Sequence, residues 1–356
     1  MPFINDRLME QAESRPPPLT PGGRVSRFQF EPEQVMARLS ARIVGQDPVL
    51  ADLEAMLTRI KADISDTERP LAVHLFVGPT GVGKTETARL LAEALHGRAD
   101  ALCRVDMNTL AQEHYAAALT GAPPGYVGSK EGHTLLDEER LRGTLRKPAV
   151  VLFDEIEKAD ARVIRALMNV LDHGRLPLSA GTRELDFRNS LIFMTSNLGA
   201  REAQARLSLY RGGWRRWLGM RPGEVESIPE QAVLEHFDPE FINRIDRIHY
   251  FQPLAPQRAE ALLDIELDRL ADRLRRREVH LSWQPAARAW LCARQDIRYG
   301  ARDLRRRLRN ELEPKVAAAM FSHPGTRQFL VRASGGTLEV VPVMDTEPHD
   351  ALRHTT

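Results

Sequence analysis

Gly78, Pro79, Thr80, Gly81, Val82, Gly83, Lys84 and Thr85 spell the pattern GxxxxGK[ST], between an apolar run at 71–77 and a helical pattern at 86–95. No other feature limits the fold as strongly. The pattern works when a strand delivers the chain into a tight turn and a helix begins directly after it. Glycines then let the backbone close around an anion, so that successive N–H groups and the helix N-terminus face phosphate oxygens. Lys84 adds a point charge for the outer phosphates, and the Thr85 hydroxyl is a magnesium ligand. An ordinary glycine-rich turn is the competing reading. The full match in a strand-turn-helix setting favours phosphate.

Around this unit the chain alternates. Val35, Leu39, Ile43, Val49, Leu53, Met56, Leu57 and Ile60 have helical spacing, and apolar runs at 102–106, 149–153, 191–195 and 247–251 alternate with helical stretches such as 161–171. This predicts an α/β fold with a mainly parallel sheet between helices. After Pro253 the texture changes to a charged amphipathic helix over 255–277, a short strand over 279–283 and a mostly helical stretch over 284–320. The expected organisation is a flexible extension over 1–34, a large domain over 35–252, a small, mainly helical domain over 253–343 and a flexible tail over 344–356. Pro16, Pro17, Pro18, Pro21, Gly22 and Gly23 make 14–27 a linker. Ahead of it, Phe3, Ile4, Leu8 and Met9 either form a docking peptide or belong to a frayed terminus.

Composition excludes several classes. Of 356 residues, 42% are hydrophobic and 28% charged, which rules out a wholly disordered or collagen-like chain. Fifty basic and 49 acidic residues leave a formal charge of +1, so no global field marks a nucleic-acid or membrane-surface binder. Cys103 and Cys292 stand far apart without ligand spacing, which supports buried free thiols and neither a disulfide framework nor a zinc site. Asp6, Glu10 and Glu13 argue against a secretory leader, and no uncharged run is long enough to span a bilayer. The expected location is cytoplasmic.

Two further strands carry chemistry at their ends. Val150, Val151, Leu152 and Phe153 run into Asp154 and Glu155, at the strand end where α/β proteins bind ligands. Asp154 can hold magnesium, and Glu155 can polarise a water that attacks the γ-phosphate. Alone, either acid reads as a helix cap; the upstream loop favours chemistry. The run at 191–195 leads through Ser196 to Asn197, whose amide either orients that water or forms a turn.

With these residues placed, the chain resembles the Clp family of AAA+ protein unfoldases, and specifically the second ATPase ring of ClpB, ClpA and ClpC. The matching stretches are ArgIleValGlyGln at 42–46, the loop at 78–85, GlyAlaProProGlyTyrValGly at 121–128, and PheAspGluIleGluLysAla at 153–159. LeuAsp and GlyArgLeu follow within 171–176, then AspPheArgAsn at 186–189 and MetThrSerAsnLeuGly at 194–199. PheAspProGluPheIleAsnArgIleAsp at 237–246 and TyrGlyAlaArg at 299–302 complete the set. The resemblance implies an AAA+ P-loop NTPase with a small helical lid, using ATP and Mg2+ and working as a homo-oligomeric ring, expected to be a hexamer. It further implies that Ile43 and Val44 border the adenine, Lys84 and Thr85 bind phosphate and magnesium, and Glu155 is the catalytic acid. Asn197 is then sensor 1, Arg244 an arginine finger reaching a neighbouring subunit's nucleotide, and Arg302 sensor 2. Outside these motifs each Arg would read as a surface ion pair. Tyr126, with Val127, would line the central pore and grip polypeptide; by its residue type alone, Tyr126 packed on its own domain fits equally well.

The chain departs from the resemblance in carrying one ATPase module, as in the single-ring mitochondrial relative of ClpB, but without ankyrin repeats. The stretch 131–146 is longer and more charged than expected. Leu218, Gly219 and Met220 loosely fit a ClpP-docking tripeptide beside Trp214 and Trp217, among Arg211, Arg215, Arg216 and Arg221. That cluster reads as protease docking, a nucleic-acid or anionic contact, or an insertion packed on its own ring. The basic run at 302–309, with Glu311 and Glu313, reads as a solvated or inter-subunit helix face. The functional expectation is an ATP-driven unfoldase or disaggregase threading a protein substrate past Tyr126, with an adaptor as a further partner. Its rivals are a dedicated disassembly ATPase, an unfoldase subunit for a ClpP-like protease, and a nucleic-acid-associated AAA+ switch.

Overall fold

The computed structural model describes residues 26–111, 136–137, 140–141, 143–178, 184–211, 223–293 and 300–343. Tyr126, Val127, half of 131–146, the 214–221 cluster, Phe3 to Met9, Tyr299 and the tail lie outside them. The chain divides between Gln252 and Pro253 into two compact units.

In the first unit, helices α1 (Pro32–Ser40) and α2 (Asp47–Lys61) precede β1 (Ala72–Val77), which leads through the glycine loop into α3 (Lys84–His96). Then come β2 (Leu102–Asp106), β3 (Ala149–Asp154), α4 (Ala161–His173), a short hairpin of β4 (Arg175–Pro177) and β5 (Glu184–Asp186), and β6 (Ser190–Ser196). Helices α5 (Ala200–Arg211) and α6 (Gly223–His236), the turn α7 (Pro239–Ile242) and β7 (Arg247–Tyr250) finish the unit. The five long-range strands pair in the order β2-β3-β6-β1-β7, all parallel. The three inner strands, β1, β3 and β6, are buried on both faces, which explains their unbroken apolar runs. Phe76, Leu152 and Phe193 pack with α1, α2 and α3, while Leu75, Phe153 and Met194 pack with α4, Phe237 and Phe241. Each such side chain contributes ~1.5–3 kcal/mol by leaving water. Parallel strands also deliver all their C-terminal ends to one edge, where the glycine loop, Asp154 and Ser196 come together.

The second unit contains α8 (Ala259–Arg275), β8 (His280–Trp283), α9 (Pro285–Ala293), α10 (Gly300–Arg307) and α11 (Glu313–Ser322), followed by β9 (Gln328–Ser334) and β10 (Thr337–Pro342). A π-helical turn at Leu308–Leu312 joins α10 to α11. The three strands form one sheet in the order β10-β9-β8, with Phe329 and Val279 in its core. The sequence pattern showed only its first strand. Within the basic run Arg302, Arg305, Arg306 and Arg309 are exposed, and Arg307 alone departs from the expected solvated face. Arg307 is buried, donates to the Leu291 carbonyl at 3.1 Å and lies over the Trp290 ring. Arg305 pairs with the buried Glu266 at 2.8 Å. Helical spacing turns Arg307 inward and brings the exposed Arg305 against Glu266. Glu311 pairs with Arg307, as spacing suggests, but Glu313 reaches Arg273 instead. Cys103 is buried and Cys292 only half-buried, both as free thiols.

Within the first unit a buried histidine pair joins the edge strand to β1. His249 Nε2 and His74 Nδ1 are 3.0 Å apart, so one donates and the other accepts. His249 Nδ1 lies 3.4 Å from the Asp52 carboxylate, which is itself held by Arg247. Burial lowers His74 to about 3, helped by the positive fields of His249, Arg59 and Arg247. Burial lowers His249 to about 4, against the opposing pull of Asp52. Both folded-state values lie below the ordinary 6.5, so the unfolded chain binds more protons between about pH 6.5 and 4. Stability is therefore full above pH 6.5 and falls as pH drops through that window. Urea unfolding at pH 7.5 and pH 5 should show a loss of about 2–4 kcal/mol, and His74→Leu should remove roughly half of that loss. An equal loss in both proteins would contradict the assignment.

Candidate active site

The glycine loop is shaped by close packing rather than by side-chain bonds. Gly78 has φ +150°, and a Cβ there would come within 2.5 Å of the Phe251 carbonyl oxygen. Only glycine lets the loop pass this close to the chain leaving β7. Gly83, at φ +110°, caps α3 without any side-chain hydrogen bond, so the first turn of α3 presents its N–H groups uncapped by a side chain. Ile43 is buried against this point, its Cδ1 lying 3.7 Å from where a Gly83 Cβ would stand. Val44 is half-buried beside it in sequence. Gln46 fixes the segment: its amide donates to the Gln252 carbonyl at 2.9 Å and accepts from the Gln252 N–H at 3.1 Å.

Lys84 is buried, and its ammonium donates to the carbonyls of Gly78 and Pro79, the latter at 2.7 Å, and to Asn197 Oδ1 at 2.9 Å. One cation thus joins the glycine loop to the tip of β6. Asn197 is held from behind as well, its N–H donating to Glu157 Oε1 at 3.0 Å.

Asp154 is buried at the end of β3 and is the acceptor on which the site converges. Its Oδ1 accepts from the Thr85 hydroxyl at 3.1 Å and from the Thr195 hydroxyl. Its Oδ2 accepts from the Arg104 guanidinium at 2.6 Å. Thr195 Oγ1 accepts in turn from the Glu155 N–H at 3.0 Å. That bond fits the turn of the chain directly after Asp154, where Glu155 has φ 59° in the left-handed region. A non-glycine residue there carries strain of about 1–3 kcal/mol, a cost that recurs where a site over-determines the backbone. The turn separates the directions of the two neighbouring acids, leaving Asp154 buried and Glu155 half-exposed.

The donor set suits magnesium. A buried carboxylate and a hydroxyl 3.1 Å apart are hard oxygen ligands, and magnesium commonly takes one or two such protein oxygens alongside phosphate and water. Among the described residues no group of three His, Cys, Asp or Glu side chains forms a metal cage.

Arg244 is not brought to this cluster. Its backbone belongs to the opposite edge of the sheet, where Asp246 bonds with Val73 near the start of β1 at 2.8 Å. Six residues of β1 at ~3.3 Å each put that edge roughly 20 Å from the glycine loop. Arg244 Nε donates to Asp172 at 2.5 Å, and Nη1 to the Glu240 carbonyl. Arg302 is exposed near the start of α10 in the second unit. Sequence reasoning missed Arg104, Thr195 and Glu157 as members of the site. Thr195 and Glu157 lie inside quoted motifs and carried that signal, whereas a lone Arg on β2 carried none.

The family model for an AAA domain (Cdc48 subfamily) matches residues 69–248, and that for the C-terminal, D2-small domain of ClpB protein matches 254–328. The chain is 48% identical over 308 residues to an ATP-dependent protease ATP-binding subunit-like protein, AmiB, of Pseudomonas aeruginosa, covering 84% of this chain and 82% of that one. It is 43% identical over 347 residues to an ATP-dependent protease ATP-binding subunit-like protein of Rhodococcus erythropolis, covering 96% and 99%. Against the chaperone protein ClpB of Propionibacterium freudenreichii it is 41% identical over 287 residues, or 80% of this chain but 31% of that one. The glycine loop after β1, the acids at and after the end of β3 and these matches lead to one conclusion: the chain belongs to the Clp family of AAA+ proteins and is an ATPase resembling the second ATPase ring of ClpB.

Proposed function

We propose that the chain is an ATP-driven protein unfoldase that assembles as a homo-oligomeric ring, expected to be a hexamer, and draws polypeptide past Tyr126 and Val127. The observation that carries this reading is the separation of Arg244 from Lys84, Thr85, Asp154 and Asn197 across the length of β1. A guanidinium that cannot reach its own chain's phosphates is suited to reach those of a second copy, which makes each site complete only in an assembly.

In this reading Gly78, Pro79, Thr80, Gly81, Val82 and Gly83 wrap the phosphates with backbone N–H groups, and Lys84 neutralises the outer ones. Ile43 and Val44 border the base. Thr85 and Asp154 hold the magnesium ion, which supplies charge stabilisation to the transferring phosphoryl group. Glu155 takes a proton from the attacking water, and Asn197, fixed by Glu157 and Lys84, orients that water. Arg244 of the neighbouring copy brings positive charge to the phosphates as charge develops.

A second reading has its own support. Two relatives matched over most of their length carry names that describe ATP-binding subunits of an ATP-dependent protease. An unfoldase feeding a ClpP-like barrel uses the same ATPase cycle and differs only in what receives the threaded chain. The stretch that would dock it, Leu218 to Met220, lies outside the described residues, as does the Trp214 to Arg221 cluster invoked for nucleic acid.

Two outcomes test the proposal. Glu155→Gln should keep nucleotide affinity while lowering ATP turnover by about 100-fold or more, the usual range for a general base, measured as phosphate release. Normal turnover would remove Glu155 from its role. Casein should stimulate the wild-type ATPase, and Tyr126→Ala should abolish unfolding of a fluorescent substrate while basal hydrolysis persists. Stimulation by DNA rather than casein would support a nucleic-acid switch instead.

A further inference from the structure

Arg104 has no part in the scheme above, yet it forms an ion pair with the carboxylate on which the site converges. It sits in the middle of edge strand β2, opposite Leu152 on β3. Its guanidinium reaches along the sheet to Asp154 Oδ2 at 2.6 Å, while half of its side-chain surface stays open to solvent. Asp154 has a side-chain exposure of 9%. A carboxylate so enclosed needs positive charge nearby, because two hydroxyl donors alone do not offset its lost hydration. In the described structure that charge comes from Arg104, and every other polar contact of Asp154 is to Thr85 or Thr195.

This arrangement conflicts with the magnesium-binding role proposed for Asp154 and Thr85. A dication held by the same carboxylate would face a guanidinium already bonded to its second oxygen. Like charges at that distance repel, and the low dielectric around a buried acid strengthens the repulsion. The two groups differ in freedom. Asp154 is fixed by Thr85 and Thr195, whereas Arg104 is half-exposed on a flexible stem and can turn to water at little cost.

We propose that Arg104 is a placeholder cation. It neutralises and aims the buried Asp154 carboxylate before metal arrives, and it yields Oδ2 when magnesium binds with nucleotide. Arg104 therefore sets how much magnesium the site requires. This inference rests on the magnesium-site reading of Asp154 and Thr85, and its test separates the two.

The full-length protein is mixed with a fluorescent ADP carrying an N-methylanthraniloyl group, and MgCl2 is titrated while binding is followed by fluorescence. Arg104→Gln should lower the half-saturating magnesium concentration by about three- to fivefold, the scale of a half-exposed ion pair. Arg104→Lys, which keeps the charge, should stay near wild type. A merely structural role would raise the half-point or leave it unchanged, and either result for Arg104→Gln overturns the proposal. Thr85→Ala should raise the half-point; no change there overturns the magnesium-site reading itself, whatever Arg104→Gln does. If the Gln variant does not fold, wild-type protein decides the matter through phenylglyoxal labelling, read peptide by peptide in a mass spectrometer. With ADP present throughout, Arg104 should react faster with MgCl2 than with EDTA. Equal or slower labelling contradicts the release of Arg104.

Discussion

Asp154 is the fixed point of the molecule. Its carboxylate ends β3 inside the protein and is reached by Thr85 from the helix after the glycine loop, Thr195 from β6 and Arg104 from β2. Three separate segments are thereby tied to one acid, and the sheet order β2-β3-β6-β1 makes that possible by placing β3 between β2 and β6 and setting β1 next to β6. A buried charge is costly unless it is paired, so this convergence specifies the relative positions of the strand ends as well as the chemistry they carry. Lys84 makes a second tie of the same kind between the glycine loop and Asn197.

Much of this was legible in the residues. The pattern at 78–85 located the glycine loop between β1 and α3 because glycines with positive φ and a following helix leave a visible trace, and the run ending in Asp154 and Glu155 located the acids because a strand buried on both faces is apolar throughout. Partnerships were less visible. Arg104 alternates with apolar neighbours on an edge strand and looks like any solvent-facing residue. Its direction depends on the register with β3, which no local pattern encodes. The histidine pair was hidden for the same reason: His74 and His249 are 175 residues apart and meet only because β7 pairs with β1. In the second unit, β9 and β10 went unread beside strong helical periodicity. The pairing of Arg305 and the inward turn of Arg307 depended on Glu266 and Leu291, which their own helix does not contain.

The sheet also gives the chain two edges with different character. At the C-terminal edge of the strands, glycine packing, helix N–H groups uncapped by a side chain and the buried carboxylate lie together. At the N-terminal edge Arg244 is held by Asp172 and the Glu240 carbonyl, with about a quarter of its side-chain surface exposed. An arginine aimed by two partners rather than left to solvent has lost conformational freedom in advance, which suits a group that must meet phosphate in a defined direction. The parallel strands thus serve as a spacer between a site and the residue proposed to complete a neighbour's site.

The central claim, that one copy's nucleotide is completed by another copy's Arg244, is tested most directly by mixing two disabled proteins. Lys84→Ala lacks phosphate binding but keeps the arginine; Arg244→Ala lacks the arginine but keeps the loop. Each should turn over ATP poorly alone. Mixed in equal amounts and allowed to exchange, roughly a quarter of the interfaces would pair an intact loop with an intact arginine. The account predicts turnover well above the sum of the two separate rates. A mixture no more active than that sum, or an Arg244→Ala protein fully active by itself, would contradict it.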